Sequence, residues 1–193
     1  MAGGRFIVHT GPSGAGKTSL AQRVLAAFPA MSFAVSITTR PPRAGEQDGK
    51  EYRFVTEEHF RSLVARDQLL EYEEVYPGRL YGTLRAEAER ASPGHPVLFD
   101  LDIKGALALK EWACEDALVI FVRPVDLETL EQRLRGRATE APRALRERLA
   151  RAHVEMTYAH RFDAVVTNDG LDRAAQETIT LIEAFLAGTT PRI

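Results

Sequence analysis

A single cysteine, Cys114, stands among 193 residues, so no internal disulfide is available and the fold must rest on its core. The longest uninterrupted apolar run, 117–122, is far too short to span a bilayer. Net charge is only −2, which excludes the global basic field of a nucleic-acid binder. Neither nucleic acid nor membrane is therefore expected as a partner. Repeats and low-complexity tracts are missing. The five histidines show no ligand spacing, so no structural metal is expected. With 45% hydrophobic and 27% charged residues, wholesale disorder is excluded as well. One thiol and no signal-peptide pattern lead us to expect a cytoplasmic chain; a homo-oligomer is left open. Trp112 and Cys114 read as packing residues.

What is present is a rhythm. Residues 5–10, 33–35, 96–100, 118–122 and 164–167 read as short strands. Residues 18–28, 127–135, 144–158 and 171–186 read as helices. Alternation of the two predicts an α/β fold with a mainly parallel sheet. From 36 to 93 the rhythm breaks. A turn-rich stretch carries Pro41, Pro42, Gly45 and Gly49, then residues 52–55 look extended. Thr56 can cap a helix to about Arg66; a hairpin of 69–75 and 79–81 surrounds Pro77-Gly78; a helix covers 84–91. This segment reads as an insertion laid over the binding edge of the core.

Gly11-Pro12-Ser13-Gly14-Ala15-Gly16-Lys17-Thr18 matches the phosphate-loop pattern, with a strand before it and a helix after. Glycines let backbone N–H groups turn inward on phosphate oxygens, and the helix start offers its positive end to the same anion. Lys17 supplies a point charge to the β- and γ-phosphates, and Thr18 a hydroxyl to Mg²⁺. The loop specifies a nucleoside triphosphate but not what accepts the phosphoryl group.

Val97-Leu98-Phe99-Asp100 is an apolar strand ending in a carboxylate, as a metal-supporting strand would be. Asp102 follows, and both acids project to one side if the strand continues that far. Regulatory GTPases share such a loop, but Val166-Thr167-Asn168-Asp169 lacks the Lys of their guanine-reading motif. Two arginine groups remain. Arg40 and Arg43 sit in a proline-stiffened loop suited to bidentate capture of a phosphate, with Tyr52 nearby. Arg133, Arg135, Arg137, Arg143, Arg146 and Arg148 lie around a helix joint that could close as a lid on charge accumulating during phosphoryl transfer. Each group also fits a solvated surface, the second with Glu131, Glu140 and Glu147 as partners.

Together these residues resemble the guanylate kinase family, from Arg5 to about Phe185. The stretches that carry the resemblance are Gly11 through Ser19; 36–43 with Gly45-Glu46, Asp48-Gly49, Glu51-Tyr52 and Phe54; Leu70-Glu71; Tyr81-Gly82-Thr83; Asp100-Leu101-Asp102 with Gly105; and Arg133-Leu134 with Gly136-Arg137. The resemblance implies ATP-dependent phosphorylation of GMP, extending to dGMP, with Mg²⁺. It implies a phosphate-loop kinase core (1–35, 94–125 and 159–193), a mixed α/β GMP-binding insertion (36–93) and a helical lid (126–158). By position, Arg40, Arg43, Tyr52 and Tyr81 would hold the GMP phosphate, and Ser36, Glu71, Thr83 and Asp102 would read the guanine. Gly11, Pro12, Ser13, Gly14, Ala15, Gly16, Lys17, Thr18 and Ser19 would bind the ATP phosphates. Arg133, Arg137 and Arg148 would clamp them. Thr18, and Asp100 through a water, would support Mg²⁺. Lys17, Arg40, Arg137 and Arg148 would form the catalytic set, and Asn168 would lie by the adenine.

The chemistry suits Glu71, because guanine N1–H and its 2-amino group are adjacent donors and a carboxylate accepts both. Two other readings are weighed against this one. A kinase acting on another phosphorylated acceptor, such as a ribose bisphosphate, would not need Ser36, Glu71 and Asp102 together. A non-enzymatic interaction module would not need an intact Gly16-Lys17-Thr18. Departures from the family pattern are Leu80, Lys104, Ala138, Pro142 and a hairpin one residue longer between Glu71 and Tyr81.

Overall fold

The computed structural model describes residues 4–43, 45–50, 52–76, 78–136 and 142–189; Arg137 and Ala138, named above, lie outside them. In chain order the elements are β1 (Phe6–Thr10), α1 (Lys17–Ala27), β2 (Ser32–Phe33), β3 (Ile37–Thr38), β4 (Arg53–Phe54), α2 (Glu57–Ala65), β5 (Leu69–Tyr76), β6 (Arg79–Leu84) and α3 (Arg85–Ala88). They continue as β7 (Val97–Asp100), α4 (Ile103–Ala113), β8 (Ala117–Pro124), α5 (Leu127–Gly136), α6 (Pro142–Met156), β9 (Ala164–Asn168) and α7 (Leu171–Leu186).

Five parallel strands form the main sheet, ordered β2-β7-β1-β8-β9. Side chains alternate across it as the pleat demands. Along β8, Leu118, Ile120 and Val122 join Leu20 and Val24 of α1 and Ile182 and Phe185 of α7. Val119 and Phe121 join Leu109 of α4 on the other face. Helices thus cover both faces, the three layers expected of an α/β fold. Burying a side chain such as Ile120 completely contributes about 2 kcal/mol. Trp112 packs edge-on against Phe6, whereas Cys114 is exposed at the end of α4 rather than packed.

The second sheet, ordered β4-β3-β6-β5, has its own small core of Ile37, Phe60, Leu63 and Leu69. Another cluster, Leu130, Leu134 and Ala152, joins α5 to α6. Thr56 caps α2 as expected, its Oγ1 accepting from the His59 N–H at 3.2 Å.

Two local expectations change. The helix over 84–91 shrinks to α3, because Leu84 pairs with Leu69 as the last residue of β6. In the longer hairpin an irregularity between Glu74 and Tyr76 lies beyond the Glu73–Tyr81 pair, and Glu71 stands opposite Thr83. The strand carrying Asp100 ends there. Asp102 instead caps α4, a helix the sequence reading passed over, by accepting the Gly105 N–H at 2.9 Å. The two acids therefore do not share a strand face. Pro142 opens α6, at the helix start where a missing N–H costs nothing.

Candidate active site

The phosphate loop crosses from the carboxyl end of β1 to the start of α1. Gly11, Gly14 and Gly16 all have positive φ (129°, 91° and 94°). A Cβ on Gly11 would sit 2.2 Å from the Val122 carbonyl oxygen, so only glycine fits there. No side chain caps α1, which leaves its first N–H groups for an anion. Lys17 Nζ donates to the Gly11 and Pro12 carbonyls at 2.8 and 3.3 Å and lies 3.9 Å from Asp100. Thr18 Oγ1 donates to Asp100 at 3.3 Å. Ser13 and Ser19 are exposed on the loop and helix. Burial pushes the Asp100 carboxyl up; Lys17 and Thr18 oppose it.

Two residues outside the motif brace this loop. Asn168, at the end of β9, is buried and donates its amide to the Ala15 carbonyl at 2.8 Å. That amide nitrogen is engaged with the loop. Arg133 in turn donates to the Asn168 carbonyl at 3.2 Å. His9 is buried with no hydrogen bond to either ring nitrogen among the described residues. Burial and Lys17 bring its pKa down to about 3, so the ring stays neutral.

Just after β3, Arg40 is only 4% exposed. Its Nη1 and Nη2 donate to the two carboxylate oxygens of Glu46, each at 2.6 Å, and Nη1 also donates to the Pro41 carbonyl. The guanidinium lies 5.1 Å from the ring centre of Tyr52 and 5.5 Å from that of Phe54. Glu46 also accepts the Arg43 backbone N–H at 2.7 Å, and these bonds hold its carboxyl below the usual range despite partial burial. Five guanidinium N–H groups minus these three bonds leave Nε–H and one Nη2–H not taken by any described residue. Those two donors form a second bidentate edge, the geometry a phosphate accepts. Arg43 itself is exposed. Tyr52 meets Tyr81 edge-on at 5.9 Å, and burial raises its phenol pKa, so the hydroxyl remains a donor.

The third group lies where β5 meets α4. Glu71 is paired with Thr83 across β5 and β6. A Cβ on Gly105 would fall 2.8 Å from Glu71 Oε2 and 3.4 Å from Asp102 Oδ1, so glycine is what lets the two carboxylates converge. Burial pushes the Glu71 pKa up to about 7; Thr83 opposes this, and Asp102 and Glu73 add to it. Thr83 Oγ1 is buried beside that carboxylate. Ser36 is half-buried just before β3. Arg148 is half-buried on α6 and has a partner. Sequence reasoning missed the role of Glu46, although Arg40 six residues before it was the available signal. It also missed Arg151, for which no local signal exists.

A five-stranded parallel sheet whose first strand ends in a glycine loop at a helix start, with an acid at the neighbouring strand end, defines the phosphate-loop class of nucleotide-binding proteins. The guanylate kinase family profile matches residues 3–185. The chain is 51% identical over 182 residues to the guanylate kinase of Salinibacter ruber, covering 94% of this chain and 97% of that one. It is 43% identical to the guanylate kinase of Bacteroides thetaiotaomicron, covering 95% and 90%. The solved guanylate kinase of Anaplasma phagocytophilum superposes with a TM-score of 0.78 at 28% identity, covering 94% of this chain and 85% of that one. The chain belongs to the guanylate kinase family. Among the described residues, no helix is long and apolar enough to cross a membrane.

Proposed function

We propose that the chain transfers the γ-phosphoryl group of ATP to GMP, and also to dGMP, giving the nucleoside diphosphate and ADP. The observation that carries this reading is the convergence of Glu71 and Asp102 over Gly105, with the buried Thr83 hydroxyl opposite Glu71 on the neighbouring strand. Acceptor atoms so placed suit a base with adjacent donors, which guanine has and adenine lacks.

In this reading the loop from Gly11 to Ser19 cradles the ATP phosphates, and Lys17 leaves its two carbonyl partners for the transferring group. Arg133, Arg137 and Arg148 close over the same oxygens. The free edge of Arg40, with Arg43, Tyr52 and Tyr81, holds the GMP phosphate. Ser36, Glu71, Thr83 and Asp102 hold the base. The acceptor is already an oxyanion, so the protein needs no general base: it positions two phosphates and neutralises charge. Thr18 and Asp100 are both oxygen donors, as suits Mg²⁺ bound with nucleotide phosphates; Asp100 would act through water. Mg²⁺ would supply charge neutralisation at those oxygens.

The division into core (1–35, 94–125, 159–193), GMP-binding insertion (36–93) and lid (126–158) belongs to the same proposal. The separate apolar clusters of the second sheet and of α5 with α6 support it. Relative movement of these parts would exclude water from ATP. A cytoplasmic site of action fits the lone exposed thiol.

The test is ADP release with ATP, Mg²⁺ and one acceptor at a time: GMP, dGMP, AMP, UMP, CMP and ribose 1,5-bisphosphate. GDP formation from GMP is expected. ADP formed only with another acceptor would sink the base-recognition argument. GMP binding without turnover would favour an interaction module.

A further inference from the structure

Arg151 lies on α6, yet its guanidinium joins three parts of the fold. Nη1 donates to the Val75 carbonyl on β5 at 2.7 Å. Nε donates to Glu155 on its own helix at 2.8 Å. Nη2 lies 3.5 Å from Asp102 Oδ2 at the start of α4. The side chains of Arg151, Asp102 and Glu155 are only 30%, 24% and 13% exposed, so water screens these pairs incompletely. The other oxygen of Asp102 accepts the Gly105 N–H. One carboxylate oxygen thus caps α4, and the other faces the guanidinium that α6 brings to it.

We propose that Arg151 is a positioning residue for acceptor recognition: it orients Asp102 toward the base and ties that orientation to the docking of α6 on β5. The inference rests on the guanine-reading role of Asp102 proposed above. A carboxylate offers about four lone-pair directions. The helix cap takes one of them on Oδ1, and the Arg151 charge beside Oδ2 biases how the remaining ones turn. Without Arg151, Asp102 keeps its cap but loses the guanidinium beside Oδ2, and Glu155 loses its hydrogen-bond donor. Lysine would restore the charge but not the three-way fork. A second ion pair to β5 provides an internal contrast. Lys104 of α4, itself 76% exposed, bridges Glu73, which is 16% exposed, at 2.5 Å, and this ion pair does not include Arg151.

The experiment is steady-state kinetics on the full chain with both substrates varied, for Arg151→Ala, Arg151→Lys and Lys104→Ala, with thermal unfolding of each. Arg151→Ala is expected to raise the GMP KM about tenfold and leave the ATP KM within about twofold. Arg151→Lys is expected to fall between it and the parent, and Lys104→Ala to raise the GMP KM clearly less than Arg151→Ala does. If the alanine variant unfolds, Arg151→Lys carries the test, and its GMP KM must rise while its ATP KM does not. An unchanged GMP KM overturns the inference, and so does an equal rise in both KM values, which marks a merely structural role. A Lys104→Ala effect as large as that of Arg151→Ala also overturns it, because any contact along the seam would then serve. Loss of GMP turnover in the parent protein is a different failure: it overturns the function itself and this inference with it.

Discussion

Asn168 donates its side-chain amide to the carbonyl of Ala15 at 2.8 Å, joining the last strand of the main sheet to a loop 153 residues earlier. A Cβ on Gly16 would meet the same amide nitrogen at 2.3 Å, so the loop and its brace are fitted to each other. Asn168→Ala leaves the buried carbonyl unpaired, at a cost of about 1–3 kcal/mol. Lower stability in urea and an ATP KM several-fold higher are expected, with the GMP KM unchanged. Equal shifts in both KM values would remove the loop-specific role.

Lys17 rests on two backbone carbonyls of its own loop, and neither contact is needed to hold the sheet. Lys17→Ala should cost about 10³-fold in turnover while leaving the thermal midpoint near that of the parent. Retained turnover would refute its place at the transferring phosphate.

Glu46 and Arg43 separate support from direct contact. Removing the Glu46 carboxylate strands the Arg40 guanidinium, which is 4% exposed, and breaking a buried pair this way costs about 3 kcal/mol. Glu46→Ala should therefore lose stability and raise the GMP KM together. Arg43→Met, at an exposed position, should raise the GMP KM at nearly unchanged stability. If Arg43→Met raised the ATP KM more, Arg43 would belong to the donor side.

Glu71 carries the pH dependence. Its folded pKa of about 7 lies above the ordinary 4.5, so folding holds a proton that the unfolded chain releases earlier. The stability cost of this carboxyl grows as pH rises from about 4.5 to 7 and is constant above. The thermal midpoint of Glu71→Gln, measured against that of the parent, should gain progressively over the same window. A difference independent of pH would contradict the elevated pKa.

The same group sets recognition. Only the ionised carboxylate accepts both guanine donors, so the GMP KM should rise as pH falls below about 7. In Glu71→Gln the preference for GMP over AMP should drop by about 10²-fold. An unchanged ratio would take Glu71 out of base recognition.

Much of this was legible along the chain. The glycine loop, the strand ending at Asp100 and the alternation of Leu118, Val119, Ile120 and Phe121 are local patterns, and the fold follows them. Asp102 shows where the reading stopped short. A carboxylate two residues past a strand end fits a continued strand or a helix cap equally well. The choice fell to Ala106, Leu109 and Ala113, whose helical spacing packs them under the sheet.

Residue type and spacing along the chain were enough to determine the phosphate loop, the α/β layering and the acids and arginines available for chemistry. Such signals act within a few residues, through backbone geometry and the period of apolar positions. Tertiary structure alone decided that Glu46 occupies one edge of Arg40 and leaves the other open, that Glu71 converges with Asp102 over Gly105, and that Arg151 reaches Val75 across 76 positions. Those relationships arise when apolar faces of distant segments bury against one another and bring polar groups within hydrogen-bond range, a consequence of packing that no local period encodes.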